Sequence, residues 1–390
     1  MGRVRVGRPA LTPIVVLGAT GSIGAQTLEV AGLLKRPIAA IATGTVSPAL
    51  AALAERYPAA RIAVAALPAD PIDPTLEARI EFGPDAVTAL AALPGTTVVN
   101  GIVGAAGLAP SLAALGAGNR LGLANKESLL TGGPLVMAAL ESGSGEMIPV
   151  DSEHSAIWQC LIGEPADSVR RVILTASGGP FHARTDVDLT QVTVEDALAH
   201  PTWDMGRRIS IDSATLMNKA FEVIEAHFLF SLDYDQIDVV VHPKSFVHSL
   251  VEFRDGVVKA ELGPPDMRKP IQQALTSPTR VTGSAKPFDL IGTDLTFSVP
   301  DRERFPALDL GYAAGRRGGN GPAVLNAADE VAVAAFLERR IGFPAIVEVV
   351  ADALASVPEG PIPTLDAALA ADAAGRQAAR ESISARPLGN

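Results

Sequence analysis

From Ala86 to Asn119 the chain carries no charged side chain. A stretch of that kind has to be buried, in a bilayer or between the layers of a protein core. Pro94, Gly95, Asn100, Gly101, Gly104, Gly107 and Pro110 interrupt it, too often for a spanning segment of ~20 apolar residues. Membrane insertion is therefore excluded as its explanation. A parallel sheet covered on both faces accounts for the run, because such strands are apolar on both sides. The surrounding sequence has the matching rhythm: short β-branched runs at 14–17, 38–42, 62–65, 96–100 and 121–124 alternate with alanine-rich helical stretches such as 22–34 and 48–57. That alternation predicts βαβ units and a doubly wound α/β sheet.

The pattern changes near Val150. Runs at 246–253 and 257–262 flank Asp255-Gly256, a dipeptide favoured in tight hairpins, which predicts a mostly antiparallel sheet. Proline, threonine and glycine then accumulate without periodicity from Ser277 to Arg304, and helical patterns at 322–340, 345–356 and 364–384 follow. A chain of 390 residues accommodates two or three domains. The expected division is a Rossmann-like dinucleotide-binding domain over 1–150, an α+β catalytic domain over 151–285, a linker over 286–305 and a helical domain over 306–390.

A net charge of −11 argues against a nucleic-acid partner, which selects for a basic face. The single cysteine, Cys160, has no internal partner for a disulfide, and the opening residues lack an apolar signal core. Both features predict a reduced, cytoplasmic protein.

The strand at 14–17 runs into Gly18-Ala-Thr20-Gly21-Ser22-Ile23-Gly24 and a helix. Glycines at this spacing allow a tight turn and close approach of a pyrophosphate to helix N-terminal amides; a purely structural turn is the alternative. The next strand ends in Gly44-Thr45-Val46 with no acid to accept a ribose diol, which leans towards a 2′-phosphorylated cofactor. A second glycine series, Gly101 to Gly107, and the trio Asn125-Lys126-Glu127 both follow strands. Each fits a binding loop or a plain crossover.

Asp151-Ser152-Glu153 places two carboxylates at i and i+2 of an extended segment, suited to a hard divalent cation or to capping a helix that starts near Ser155. A helix from about Asp212 would set Asn218 and Glu222 on one face with Lys219 beside it. Ser177-Gly178-Gly179 at a strand end offers amides and a hydroxyl to a phosphate. The aperiodic segment from about Phe181 to Met205, with His200 and Trp203, reads as a mobile flap.

Taken together, GATGSIG, LANKE, IPVDSEHSAIWQCL, LTASGGPF, HPTWDMG, ISIDSATLMNKAFEVIEAHFLF, VHPKSFVHSLVEF and LNAADEVAVAAFL resemble, in order, the 1-deoxy-D-xylulose-5-phosphate reductoisomerase family. The resemblance covers nearly the whole chain. It implies a metal-dependent rearrangement and NADPH-dependent reduction of 1-deoxy-D-xylulose 5-phosphate to 2-C-methyl-D-erythritol 4-phosphate, in non-mevalonate isoprenoid synthesis. The C3–C4 bond of the substrate breaks and a C2–C4 bond forms before the reduction. Asp151, Glu153 and Glu222 would hold Mn²⁺, Mg²⁺ or Co²⁺. Lys126, Ser152 and Glu153 would meet the carbon chain of the small phosphorylated sugar, and Ser177, Ser213, Asn218 and Lys219 its phosphate. His200 and Trp203 would close over it. Thr20, Gly21, Ser22, Ile23, Gly44, Asn125, Glu127 and Gly206 would contact NADPH. The family is a homodimer joined through its catalytic domain. Four positions depart from its usual residues: Thr45 and Val46 where a basic residue and Asn are common, Lys244 in place of Gln, and Asp329 in place of Asn. A different metal-assisted dehydrogenase, or a silent nucleotide-binding relative, are the competing readings.

Overall fold

The computed structural model describes residues 12–200, 206–283 and 285–386. Its first layer is a seven-stranded sheet of β1 (Ile14–Leu17), β2 (Ile38–Thr43), β3 (Arg61–Val64), β4 (Ile80–Phe82), β5 (Thr97–Asn100), β6 (Arg120–Leu123) and β7 (Glu146–Pro149). The order is β4-β3-β2-β1-β5-β6-β7, and every pairing is parallel. Strands β1, β5 and β6 are buried along their whole length, and the charge-free run supplies β5 together with most of the helix Pro84–Ala91 and the helix Leu108–Gly116 on either side of it in the chain. The strand order reverses between β1 and β5, which opens a crevice at their carboxyl ends. Two of the strands, β4 and β7, are absent from the sequence reading. Each is short, and Glu81 in one and Pro149 in the other break the apolar pattern.

A second sheet contains β8 (Val169–Ala176), β9 (Ile237–Val241), β10 (Val247–Phe253) and β11 (Val258–Leu262) in the order β11-β10-β8-β9. The hairpin forms at Asp255-Gly256, where Gly256 has φ +87° and the Phe253 N–H donates to the Val257 carbonyl at 2.9 Å. The expectation of a mostly antiparallel sheet is corrected to a mixed one. β8 and β9 pair in parallel, because the chain between them crosses over through helices before returning.

Helices Ala307–Arg317, Gly321–Leu337, Phe343–Ser356 and Leu365–Ala385 complete the chain. They do not form a core of their own. The largest hydrophobic cluster runs from Leu130 through Val172 and Phe221 to Val324, Val350 and Ala379, joining the second sheet to these helices. Among the described residues no helix is long and apolar enough to cross a membrane.

The expected helix from Asp212 through Glu222 is corrected to two helices, Arg207–Ala214 and Met217–Phe230. Leu216, at φ +64°, adopts the left-handed conformation between them, and Asp212 lies inside the first instead of capping the second. The break turns the Asn218–Glu222 face inward, and Glu222 is 1% exposed. Asp151 and Glu153 are not in an extended segment either. Asp151 caps the helix Ser152–Cys160 and accepts the Glu153 N–H at 3.3 Å, with Glu153 in its first turn. Within the segment expected to be a flap, Phe181, Val192, Val194 and Ala197 are buried, while most of its other described residues are exposed. Trp203 lies outside the described residues.

Candidate active site

A cavity of about 590 Å³ opens where the carboxyl ends of β6, β7 and β8 face the helices Arg207–Ala214 and Met217–Phe230. Asp151, Glu153 and Glu222 converge on it, with one carboxylate oxygen from each within 4.8 Å of the others. Two ammonium groups offset this charge. Lys126 Nζ sits 3.2 Å from Asp151 Oδ2 and 3.9 Å from Glu222 Oε1, and donates to Asn218 Oδ1 at 2.5 Å. Lys219 Nζ donates to Glu153 Oε1 at 3.1 Å and to Glu222 Oε2. Asn218 Nδ2 donates to Glu222 Oε1 at 2.6 Å, as one helical turn on a shared face permits. Ser152 Oγ donates to Glu153 Oε2 at 2.6 Å.

The electrostatics divide these acids. Burial works to raise Asp151, but Lys126 and His154 overcome it and hold its carboxyl well below the ordinary range. Burial and the neighbouring Glu153 carboxylate push Glu222 up to about 7. Behind them His154 is fully buried; its Nε2 bonds the Glu222 carbonyl at 2.9 Å and its Nδ1 lies 3.4 Å from Asp151. Burial opposes its charge, yet Glu225 and Asp151 raise it to about 9, so an imidazolium backs the Asp151 carboxylate. Sequence reasoning assigned no role to His154 or Glu225. Their only signal is adjacency to Glu153 and helical spacing from Glu222.

At the other end of the cavity Ser177 Oγ is 2.9 Å from His200 Nε2 and 3.5 Å from Ser213 Oγ. Gly178 and Gly179 have φ +82° and +66°, which turns the loop so that the Gly179 N–H points back at Ser177 Oγ, 3.3 Å away. Ser245, Asp266, Met267 and Arg268 also line the cavity and were not anticipated, since nothing local marks the loops after β9 and β11.

The dinucleotide side joins the same cavity through Ser22, Ile23 and Gly206. Here glycine is required: a Cβ on Gly24 would stand 2.2 Å from the Gly18 carbonyl oxygen, and one on Gly18 would stand 2.5 Å from that of Gly101. Thr20, Gly21 and Gly44 are exposed at the rim of the sheet, outside the cavity wall. Asn125 and Glu127 are buried away from it. Asn125 Nδ2 donates to the carbonyls of Ile102 and Gly104 at 2.7 and 3.0 Å, so the second glycine series is a crossover pinned by Asn125.

The ionisation of Glu222 predicts how a cation enters. A ligand has to be deprotonated to bind, and a carboxyl at about 7 is largely protonated at pH 6 and ionised at pH 8. Mn²⁺ affinity is expected to rise ~10-fold between those values, with proton uptake or release seen by calorimetry in buffers of different ionisation enthalpy. A pH-independent affinity would contradict the assignment.

Comparison with known proteins gives the same reading over the whole chain. Family models described as 1-deoxy-D-xylulose 5-phosphate reductoisomerase, its C-terminal domain, and DXP reductoisomerase C-terminal domain match residues 14–133, 147–230 and 262–378. The 1-deoxy-D-xylulose 5-phosphate reductoisomerase of Heliobacterium modesticaldum is 47% identical over 384 residues, 95% of this chain and 97% of the relative. The structure of the Zymomonas mobilis reductoisomerase in complex with NADPH superposes with a TM-score of 0.88 at 39% identity, over 96% of this chain and all of that one. A DOX-P reductoisomerase in complex with NADPH, fosmidomycin and magnesium superposes at 0.86 with 36% identity, over 96% of this chain and 98% of its own. With fold, order of motifs and nearly full-length identity in agreement, the chain belongs to the 1-deoxy-D-xylulose 5-phosphate reductoisomerase family.

Proposed function

We propose that the protein converts 1-deoxy-D-xylulose 5-phosphate to 2-C-methyl-D-erythritol 4-phosphate with NADPH and a divalent metal, in isoprenoid precursor synthesis. The observation that carries this is one cavity holding a three-carboxylate cluster, a hydroxyl-lined end and the mouth of the dinucleotide turn. A relative solved with NADPH, fosmidomycin and magnesium supports the cofactor pair.

The residues fit both groups. Asp151, Glu153 and Glu222 give an all-oxygen donor set on which a hard cation is at home. In the Gly18–Gly24 turn Thr20, Gly21 and Ser22 are exposed at the helix N-terminus, the kind of place where a pyrophosphate binds. When bound, the metal supplies Lewis-acid polarisation of a carbonyl and its neighbouring hydroxyl, and NADPH supplies the hydride.

The chain's own groups do the rest. Lys126 presents a buried ammonium beside Asp151, held charged by Asp151 and Glu222 despite burial, and stabilises oxyanion character on the substrate's carbon chain. Ser152 and Glu153 orient the chain's hydroxyls. Ser177, Ser213 and Asn218 bind the phosphate, and Lys219 joins them once the cation takes over its carboxylate partners. His200, kept neutral by burial, closes that end as a hydrogen-bonding group. Trp203, three residues further along the sequence, is assigned to the cover over the substrate. Thr20, Gly21, Gly44, Asn125, Glu127 and Gly206 frame the cofactor crevice.

The protein works as a cytoplasmic homodimer through its catalytic region, with a division at 1–150, 151–285 and 306–390 around a linker in which the last two parts share one hydrophobic core. Edge strand β11, with Val257 and Val258 half exposed at its start, supports that interface. Incubation of purified protein with deoxyxylulose phosphate, NADPH and Mn²⁺, followed by product identification, is the test. NADPH oxidation without methylerythritol phosphate, or no turnover, would refute the reading.

Cofactor choice gives a second check. Thr45 is exposed beyond β2 and carries no charge, while Arg56 ends the helix Pro48–Arg56 far from its N-terminal side and stacks on Tyr57 at 5.3 Å. Thr45→Arg is expected to raise the NADPH over NADH ratio of kcat/KM ten- to a hundredfold, the worth of a charge-assisted bond of ~1.5–3 kcal/mol. An unchanged ratio would move the 2′-phosphate elsewhere.

A further inference from the structure

The helix Arg207–Ala214 runs between two cavity residues, Gly206 and Ser213, yet Arg208 faces away from the cavity into a buried cluster of acids. Its Nη1 contacts Glu127 Oε1 at 2.9 Å and Glu330 Oε1 at 2.8 Å. Its Nη2 donates to Asn326 Oδ1 at 2.9 Å and lies 3.4 Å from Asp329 Oδ2, and its Nε is 3.5 Å from Asp212 Oδ2. One planar guanidinium thus ties together three elements: its own helix through Asp212, the start of the helix Glu127–Ser142 that Lys126 caps, and the helix Gly321–Leu337. The tie continues. Glu127 Oε2 accepts from Asn125 Nδ2 at 2.9 Å, the amide that also pins Ile102 and Gly104. Glu330 Oε2 pairs with Arg376, itself 2.7 Å from Asp372.

We propose that Arg208 is a positioning residue for the reaction: it fixes the loop carrying Lys126 against the helix carrying Ser213, using the C-terminal helices as the anchor. The inference rests on the reaction proposed above. A lysine could not replace it, because an ammonium lacks the fork of donors that spans these acceptors. The cluster also holds a proton. Asp212 and Asp329 both face Arg208, at 3.5 and 3.4 Å, and the Oδ1 atom of each is buried with no hydrogen-bond partner among the described residues. Two carboxyl groups buried on one guanidinium, each with an oxygen that no donor reaches, are relieved when one keeps its proton and shares it with the other. Burial and the facing carboxyl raise Asp329 well above its ordinary value, against the pull of Arg208. The charged groups facing the pair are Arg208, Glu127 and Lys126 on one side and Glu330, backed by Arg376, on the other.

Two measurements test this. Arg208→Lys is expected to lower kcat about 10- to 100-fold, the scale of a misplacement transmitted from outside the reacting centre, with wild-type Mn²⁺ affinity. The thermal midpoint should respond to the shared proton. A group with a raised folded value stabilises fully below the unfolded value of ~3.9 and loses that contribution as pH rises through the folded one. Asp329→Asn puts a permanent N–H in place of the proton, so its midpoint should fall less steeply with pH than that of wild type. Unchanged kcat in Arg208→Lys, or a loss matched by a loss of folded protein, would overturn the positioning role. Parallel pH curves for wild type and Asp329→Asn would overturn the shared proton. A wild type inactive on deoxyxylulose phosphate would instead count against the reaction, leaving the pH curves to decide on the cluster.

Discussion

Glu222→Gln is expected to reduce turnover ~10²-fold or more while leaving the fold in place. The substitution preserves shape and removes one charge from the three-carboxylate cluster. It leaves Asn218 and Lys219 facing an amide, and an amide oxygen is a poorer partner for a dication than a carboxylate. The protein itself should not suffer. Glu222 is 1% exposed and raised to about 7, so its charge is a strain on the metal-free fold that glutamine relieves. Steady-state rates over a Mn²⁺ titration, with thermal melts of the metal-free protein, separate the two effects. Near-normal turnover with unchanged metal dependence would remove Glu222 from the ligand set.

Lys219→Ala carries the second large effect. This ammonium neutralises Glu153 and Glu222, so its loss leaves two carboxylates facing each other. With the cation in place, the missing contact is the one to the substrate phosphate, a charge-assisted bond of ~1.5–3 kcal/mol. The loss in kcat/KM is expected to be ten- to a hundredfold for deoxyxylulose phosphate and small for its dephosphorylated analogue. Equal losses would mean that Lys219 serves the reacting carbons or the packing of the site.

Much of this architecture is legible in the residues, and the gaps have identifiable causes. The β1 turn is readable because Gly24 is dictated by the Gly18 carbonyl within the same turn, although Gly18 itself answers to Gly101 far along the chain. Asp151, Glu153 and Glu222 are readable by residue type. The local geometry of the first two is not, since an Asp before a helix and an Asp in a strand look alike until Asp151 is seen to cap. The break at Leu216 is invisible because neither glycine nor proline marks it; a leucine holds a left-handed backbone that tertiary packing imposes. The parallel β8–β9 pair is likewise set by a distant contact, not by the pattern of either strand. Asn125 and Glu127 are legible as polar residues after a strand, while the bonds of their side chains to Ile102, Gly104 and Arg208 are not, because those partners are far away in the sequence.

The hydrophobic cluster that joins the second sheet to the last four helices has a consequence for how the molecule comes apart. Its members are separated by long stretches of chain: β8 is hydrogen-bonded to β10, and Leu130 shares a core with Ala379. Contacts of such range form late and slowly in folding, and they are lost together. The catalytic half therefore has no independent folding unit to fall back on. Chain emerging during synthesis stays incompetent until its final helix, Leu365–Ala385, is complete, and denaturation should extinguish secondary structure in this half and enzymatic activity in a single cooperative step.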